Sequence, residues 1–399
     1  MEKIRFGIIG YGVQGKFYSA ILTGAELPGI GRIPQPEGCV LSAVSVRRKE
    51  ALAQLQQIPG VSYFADWKEM IDSRCCDAIV ITTPHYSHRE IAVYALEHGI
   101  HVLCDKPAAV QASEVEKMLA AAQANPATAL ALIHNQRTAE VFRKVKELIA
   151  SGELGQLRRS SWIVNNWWRP DSYYESSSWR GTWAGEGGGV LLNQAPHNLD
   201  LWQWICGMPV SVTAYCDVAR YHRIEVEDDA TLMTRYAHGA TGLFVTSTGE
   251  YPGTNRLEIA GDGGKLVLEE GVLKWWKLRE SEHDVRWHSD GSMPKIPMDY
   301  TEERFEHEGA QHLGILQNFT NAILHGERLI SPAADGLNEL MLSNAAYLSQ
   351  WTGNARVDLP LDGAAFDAQL CEHAANSMTH EEMASIPEGE YQERWQTRW

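Results

Sequence analysis

Over the first third of the chain, short apolar runs alternate with helical patterns. "IRFGIIG" (4–10) reads as a strand and "KFYSAIL" (16–22) as a helix. "VLSAVSV" (40–46) reads as a strand and "RRKEALAQLQQ" (47–57) as a helix. "DAIVIT" (Asp77–Thr82) is too apolar for a half-exposed strand. "SHREIAVYALEHG" places Ile91, Ala95 and Leu96 on one helical face, with Gly99 as the expected C-cap. "HVLCDKP", "ASEVEKMLAAAQA" and "ALALIH" continue the alternation. Apolar strands alternating with helices predict an α/β domain, a doubly wound parallel sheet covered on both faces.

After about residue 155 the rhythm changes. "LRRSSWIVNNWW" alternates, and a loop rich in Trp, Ser, Tyr and Gly follows from Asn165 to Gly189. "PHNLDLWQWIC" reads as a helix. Strand patterns then come in succession: "VSVTAYCDV", "ATLMTRYA", "TGLFVTSTG", "NRLEIAG" and "GKLVLEEG", with "AHGA" and "GDGG" as turns. Strands without intervening helices predict a large, mostly antiparallel sheet. Helices are expected around Gln311–Leu324 and Ala334–Trp351. The division is drawn as residues 1–135, α/β, and 136–399, an α+β domain for substrate binding and oligomerisation. An antiparallel sheet leaves one face that a monomer cannot cover, so a homodimer or homotetramer through that face is expected.

Charge narrows the range of partners. A formal net charge of -16 disfavours sequence-blind binding to nucleic acid or anionic lipid. Seven cysteines without a CxxC spacing fit reduced thiols and a cytoplasmic setting. No apolar run approaches the ~18–20 residues of a membrane helix, and no secretory leader is evident. His85, His88, His101 and His134 fall on separate elements without a closed ligand set, so no metal is expected.

"FGIIGYGVQGKFYSAIL" (6–22) carries the first chemical signal. Its GxGxxG lies between a strand and a helix, inside a run of βαβ units. Gly10 permits the tight turn, Gly12 lets a pyrophosphate approach the backbone, and Gly15 lets the helix pack close to the strand. Tyr11, Val13 and Gln14 complete the loop. The helix N-terminus offers N–H groups to the phosphates, so a Rossmann dinucleotide site is expected here; the alternative is a tight turn that holds no ligand. At the end of the second strand stand Val46, Arg47 and Arg48, with no carboxylate at the tip. Two guanidiniums suit a 2′-phosphate and favour NADP over NAD, unless they only begin a solvated helix.

From "TPHYSHREIAVYALEHGIHVLCDKP" (83–107) onward the chain resembles the Gfo/Idh/MocA oxidoreductases, named for glucose-fructose oxidoreductase and inositol dehydrogenase. The resemblance runs through "HNQRTAEVFRKVKELIASGELGQL" and "WRGTWAGEGGGVLLNQAPHNLDLWQW" to "LNELMLSNAAYLSQWTGNARVDLPLD". It implies that Thr82, Thr83, Pro84, His85 and His88 lie beside the nicotinamide half of NAD(P), with His85 where the family commonly has Asn. The family's EKP becomes Asp105-Lys106-Pro107, which makes Lys106 the implied catalytic lysine. The family's D-x-x-x-H becomes Asn193 to His197, so His197 matches the catalytic histidine and Asn193 replaces an aspartate. An amide cannot carry or shed a proton near neutral pH. A mechanism that needs a carboxylate there must draw on Asp200 or Glu186.

Oxidising a carbon that bears a hydroxyl leaves a proton to remove. A lysine serves as base when burial or a nearby cation disfavours its charge, and a histidine is near the right pKa unperturbed. Lys106 is therefore expected as principal acid/base, with His197 assisting. His134 and Asn135, at the end of the last parallel strand, either face the substrate or are satisfied structural polars. Trp162, Trp167, Trp168, Tyr173, Tyr174, Trp179 and Trp183 crowd one loop with Arg169 and Arg180. Aromatic faces suit a sugar ring, and Arg bonds hydroxyls or a carboxylate; the same residues also suit packing or a subunit interface. Trp179 and Arg180 are taken as substrate residues. The expected activity is an NAD(P)-dependent oxidoreductase acting on CH–OH groups of a sugar, cyclitol or related polyol. The alternatives are a glycosidase-type enzyme that oxidises its substrate transiently, and a non-catalytic NAD(P) sensor.

Overall fold

The structure, a computed structural model, describes residues 3–27, 31–47, 52 and 58–385. The helix expected over 47–57 falls almost wholly outside them, as does Arg48. The chain divides into two compact units: 1–138 with 310–337, and 139–309 with 338–399. The sequence reading drew one crossing near residue 135, whereas the chain returns to the first unit after leaving the second.

The first unit is built on six parallel strands. β1 (Ile4–Ile9) is followed by a short pair, β2 (Glu26–Leu27) and β3 (Gly31–Arg32), that stands apart from the main sheet. The sheet continues with β4 (Cys39–Ser45), β5 (Ser62–Phe64), β6 (Ala78–Ile81), β7 (His101–Cys104) and β8 (Leu130–Leu132), in the order β5-β4-β1-β6-β7-β8. Every β6 residue is buried, as expected of a strand covered on both faces. Alternation divides β1 between two cores. Phe6 and Ile8 join the cluster with Tyr18 and Ile21 of the helix Val13–Thr23. Gly7 faces Met70 and Cys76 on the other side.

The returning segment completes the first of these cores. Helix Gln311–His325 buries Ile315, Leu316 and Phe319 in the same cluster, and the Phe6 and Phe319 rings lie 6.2 Å apart. Each such side chain stabilises the unit by about 1.5–3 kcal/mol. Gly99, at φ +74, ends the helix His88–Glu97 as expected: its N–H donates to Leu96 O, and Ile100 N–H donates to Ala95 O.

Among the described residues the second unit carries nine strands: β9 (Leu157–Val164), β10 (Ser211–Val218), β11 (Glu227–Arg235), β12 (Thr241–Ser247), β13 (Asn255–Gly261), β14 (Gly264–Glu269), β15 (Val272–Leu278), β16 (Met298–Arg304) and β17 (Val357–Asp358). Their order is β16-β15-β14-β13-β9-β12-β11-β10-β17. All neighbours are antiparallel except β9 and β12. One face is buried, with Trp162, Phe244, Leu232 and Ala214 pointing into it. The other face is wetter, with Met233 and Tyr215 exposed. The expected strands from Val210 to Leu268 are present; β15 and β16 were not read from the pattern. β16 is an edge strand exposed at every residue, so it shows no apolar alternation. No helix of the described residues is long and apolar enough to cross a membrane.

Candidate active site

The glycine turn of the first unit has the geometry that its spacing predicts. Gly10 sits at φ +92, a left-handed conformation that favours glycine. Its N–H donates to the Ser45 carbonyl at 3.1 Å, and its carbonyl accepts from the Thr82 hydroxyl at 2.7 Å. The ends of β4 and β6 therefore both hold the turn. A Cβ at Gly15 would collide with the Gly10 carbonyl oxygen, whereas a Cβ at Gly12 would meet nothing within 4 Å.

The helix Val13–Thr23 starts from Gly12 without a side-chain cap and has no acidic residue in its first turn. Its leading N–H groups and positive dipole end suit an anion. Gly12, Val13 and Gln14 are exposed. Tyr11 is half-buried and donates to the Ser19 hydroxyl at 3.0 Å. A close-packed turn at Gly15 beside open space at Gly12 fits a dinucleotide pyrophosphate. Arg47 is exposed, two residues beyond β4.

Two further loops at strand C-termini meet at His88, which is buried. One ring nitrogen lies 2.8 Å from the Thr83 carbonyl and the other 2.9 Å from the Pro107 carbonyl. Both partners only accept, while a neutral imidazole has one N–H to donate. Burial pushes the His88 pKa down; the two carbonyls and Asp105 oppose this. Thr83 is tied further by the Ser87 hydroxyl, which donates to its Oγ1 at 2.7 Å and contacts the Pro84 carbonyl at 2.7 Å. His85 is buried and its ring lies edge-on to His88, centroids 6.0 Å apart. Asp105, at the end of β7, accepts from the Lys106 N–H at 2.9 Å, and Lys106 is half-buried.

Two residues beside this point escaped the sequence reading. His312 packs edge-on against Phe17 and Tyr18, 5.1 and 5.8 Å between centroids. Burial lowers its pKa; Asp105 pulls it up and Lys106 pushes it down, so both lie within electrostatic reach. The Tyr18 hydroxyl is buried without a hydrogen-bond partner among the described residues, and Asp105 adds to the burial that raises its pKa. Nothing local in "GAQHLGIL" marks His312. His134 and Asn135 bond to the returning segment: His134 Nδ1 to the Ser331 hydroxyl at 2.9 Å, and the Asn135 amide to Gln311.

In the second unit Asn193 ends the short helix Val190–Asn193, and His197 lies in the first turn of helix Pro196–Cys206. Asn193 donates to the buried Glu186, whose other oxygen accepts from the Gly181 N–H at 2.6 Å. Of the two carboxylates considered beside Asn193, Glu186 is bonded to it; Asp200 is fully buried and accepts from Gln203 at 3.2 Å. The Tyr173 hydroxyl accepts from Arg180 at 2.5 Å, Gln194 at 3.0 Å and Asn193 at 3.3 Å.

Beneath this segment lies Glu227 of β11, fully buried. It accepts from Gly189 N–H at 2.8 Å, Leu191 N–H at 2.9 Å and the Tyr347 hydroxyl at 2.8 Å. Burial raises its pKa from 4.5 to about 7 against these three donors. Glu227 thus anchors the start of the short helix that carries Asn193. Among the described residues no three His, Cys, Asp or Glu side chains gather as a metal-binding group.

Comparison with known proteins agrees with this geometry. Residues 4–133 match the oxidoreductase family with an NAD-binding Rossmann fold, and residues 142–267 match the GFO/IDH/MocA C-terminal domain. The chain is 31% identical over 222 residues to the uncharacterized oxidoreductase YdgJ of Escherichia coli K12, covering 53% of this chain and 56% of that protein. It is 27% identical over 294 residues to levoglucosan dehydrogenase of Pseudarthrobacter phenanthrenivorans, covering 67% of this chain and 74% of that one. The WlbA dehydrogenase from Bordetella pertussis, solved with NADH and UDP-GlcNAcA, superposes with a TM-score of 0.72 at 27% identity, covering 90% of this chain and all of that one.

Proposed function

The chain belongs to the Gfo/Idh/MocA oxidoreductase family, and from that premise we propose that it moves a hydride between a nicotinamide dinucleotide and a hydroxyl-bearing carbon of a sugar, cyclitol or related polyol. The observation that carries the proposal is the glycine turn locked by Thr82, with open space at Gly12 and an uncapped helix start. Gly10 to Gly15 hold the pyrophosphate, and the Thr83–His88 loop borders the nicotinamide. Levoglucosan dehydrogenase and the WlbA complex support a polyhydroxylated substrate.

When bound, the dinucleotide supplies the two-electron acceptor or donor. The chain's own part is the proton. In the oxidative direction Lys106 takes the hydroxyl proton; in the reductive direction it returns that proton to the carbonyl oxygen. His197 assists at the same oxygen, and Asn193 orients the hydroxyl through its amide. Asn193 cannot serve as a base, so Lys106 has the larger share of proton transfer here than in a relative with aspartate at this position. Arg47 and Arg48 favour NADP. The wetter face of the nine-stranded sheet, with Met233 and Tyr215, supports a homodimer or homotetramer.

The test combines purified protein with NAD+ or NADP+ and a panel of sugars, cyclitols and sugar acids. Nicotinamide absorbance and product are followed together. Stoichiometric reduction with product is expected. Product without an absorbance change would point to transient oxidation, and neither signal with any compound would refute the proposal.

A further inference from the structure

We infer that Arg169 and Arg180 form a carboxylate-recognition site around Tyr173, so that the substrate is a sugar acid and not a neutral polyol. The inference rests on the hydride-transfer reading above. Both guanidiniums belong to the aromatic loop, and both are half-buried. Arg180 lies 4.4 Å from the Tyr173 ring centroid and 4.6 Å from that of Trp179; Arg169 lies 5.0 Å from the Tyr173 ring. An aromatic face attracts one cation, but two on the same ring repel each other.

Neither arginine has a carboxylate partner among the described residues. Arg180 donates one Nη1 bond to the Tyr173 hydroxyl, and Arg169 one to the Trp168 carbonyl at 3.1 Å. The Nε of each is buried with no hydrogen-bond partner among the described residues. A guanidinium carries five N–H donors in a fork that matches a carboxylate. The surrounding groups are donors too: the Gln194 and Asn193 amides both point at the Tyr173 oxygen. Glu186 is the carboxylate within the cluster, and it accepts from Gly181 N–H and Asn193. Asp171 and Glu175 flank Tyr173 on the helix Asp171–Glu175, but both are exposed and pair with neither arginine. In a chain of net charge -16, two half-buried cations without counter-ions among the described residues mark a place for an anionic ligand. Contact with the Tyr173 ring, and for Arg180 also with Trp179, holds the two guanidiniums near one another and leaves further Nη donors for the carboxylate.

The test titrates the full-length protein, alone and with saturating NAD+ or NADP+, against D-glucuronate and D-gluconate. The matched neutral compounds are D-glucose and D-glucitol, and D-glucose 6-phosphate is the second anion. Binding is read by tryptophan fluorescence, since Trp179 lies against Arg180, and turnover by nicotinamide absorbance. At least one sugar acid should bind about 10–100-fold tighter than its neutral counterpart, the range of one or two charge-assisted hydrogen bonds. Added salt should erode that preference in the wild type without affecting the neutral sugars. Arg180→Met and, separately, Arg169→Met should each lose most of it, while Arg180→Lys should keep only part.

Equal or better binding of the neutral compounds, or preference for the phosphate, overturns the inference while leaving hydride transfer intact. Carboxylate binding that depends on the two arginines, with no absorbance change from either coenzyme, upholds the site and shows that the bound sugar acid is not itself oxidised. Absence of sugar-acid binding in the wild type overturns the inference outright.

Discussion

Replacing Glu227 by glutamine tests whether this buried carboxyl holds its proton at neutral pH. Its pKa is raised from 4.5 to about 7 by burial. The folded state therefore binds this proton more tightly than the unfolded state. The stability it contributes is fully present below pH 4.5 and is lost as pH rises to about 7. At 1.36 kcal/mol for each tenfold change in proton affinity, the loss is about 3 kcal/mol. Glu227→Gln removes this titration. It also turns an amide NH2 toward one of the donors from Gly189, Leu191 or Tyr347, a cost of about 1–3 kcal/mol that does not vary with pH.

The quantity to measure is the stability gap between variant and wild type. It should move by about 3 kcal/mol in the variant's favour from pH 4.5 to about pH 8. The gap isolates Glu227 because His88, His101 and His373, all with lowered pKa values, titrate alike in both proteins. Tyr347 titrates well above this range. Urea unfolding followed by tryptophan fluorescence reports the second unit, since Trp67 is the one tryptophan in 1–138 or 310–337. A gap constant with pH to within about 1 kcal/mol would show that Glu227 is ionised throughout, and that its three donors outweigh burial.

Lys106→Met should bind coenzyme nearly as the wild type does, with turnover lower by ~10²–10⁴-fold; near-native turnover removes Lys106 as the base. Gly15→Val puts a branched side chain against the Gly10 carbonyl, and calorimetry should show coenzyme affinity down by at least about tenfold. Removing Arg47 and Arg48 together should weaken NADP+ by roughly 10–100-fold in KM and leave NAD+ nearly unchanged, and an equal effect on both coenzymes would refute their role at the 2′-phosphate.

The coenzyme loop was legible because one local pattern fixes it. Strand, glycine spacing and helix occur within residues 4–23; Gly10 and Gly15 each have a steric reason to be there, and Gly12 leaves open space. The parallel strands were legible for a similar reason: a strand buried on both faces must be continuously apolar. What could not be read depends on contacts between distant segments. His312 lies near Asp105 only because the chain returns to the first unit, and no pattern within a helix announces that. The anchoring by Glu227 likewise joins residues far apart in sequence. The bond from Asn193 to Glu186 and the contacts of Arg169 and Arg180 with the Tyr173 ring are local, but they arise around an irregular loop that has no repeating period. β16 was invisible because an exposed edge strand shows no alternation.

The return of residues 310–337 bears on how the protein is made. The ribosome delivers the nucleotide-binding strands first, yet Ile315, Leu316 and Phe319 arrive only after the whole stretch 139–309 has been synthesised. Until then Phe6, Ile8 and Tyr18 lack part of their cover, and the nascent sheet has a sticky side. A gene fragment stopping at residue 138 should therefore be prone to aggregation, and a transplantable coenzyme module requires both pieces of chain joined by a linker.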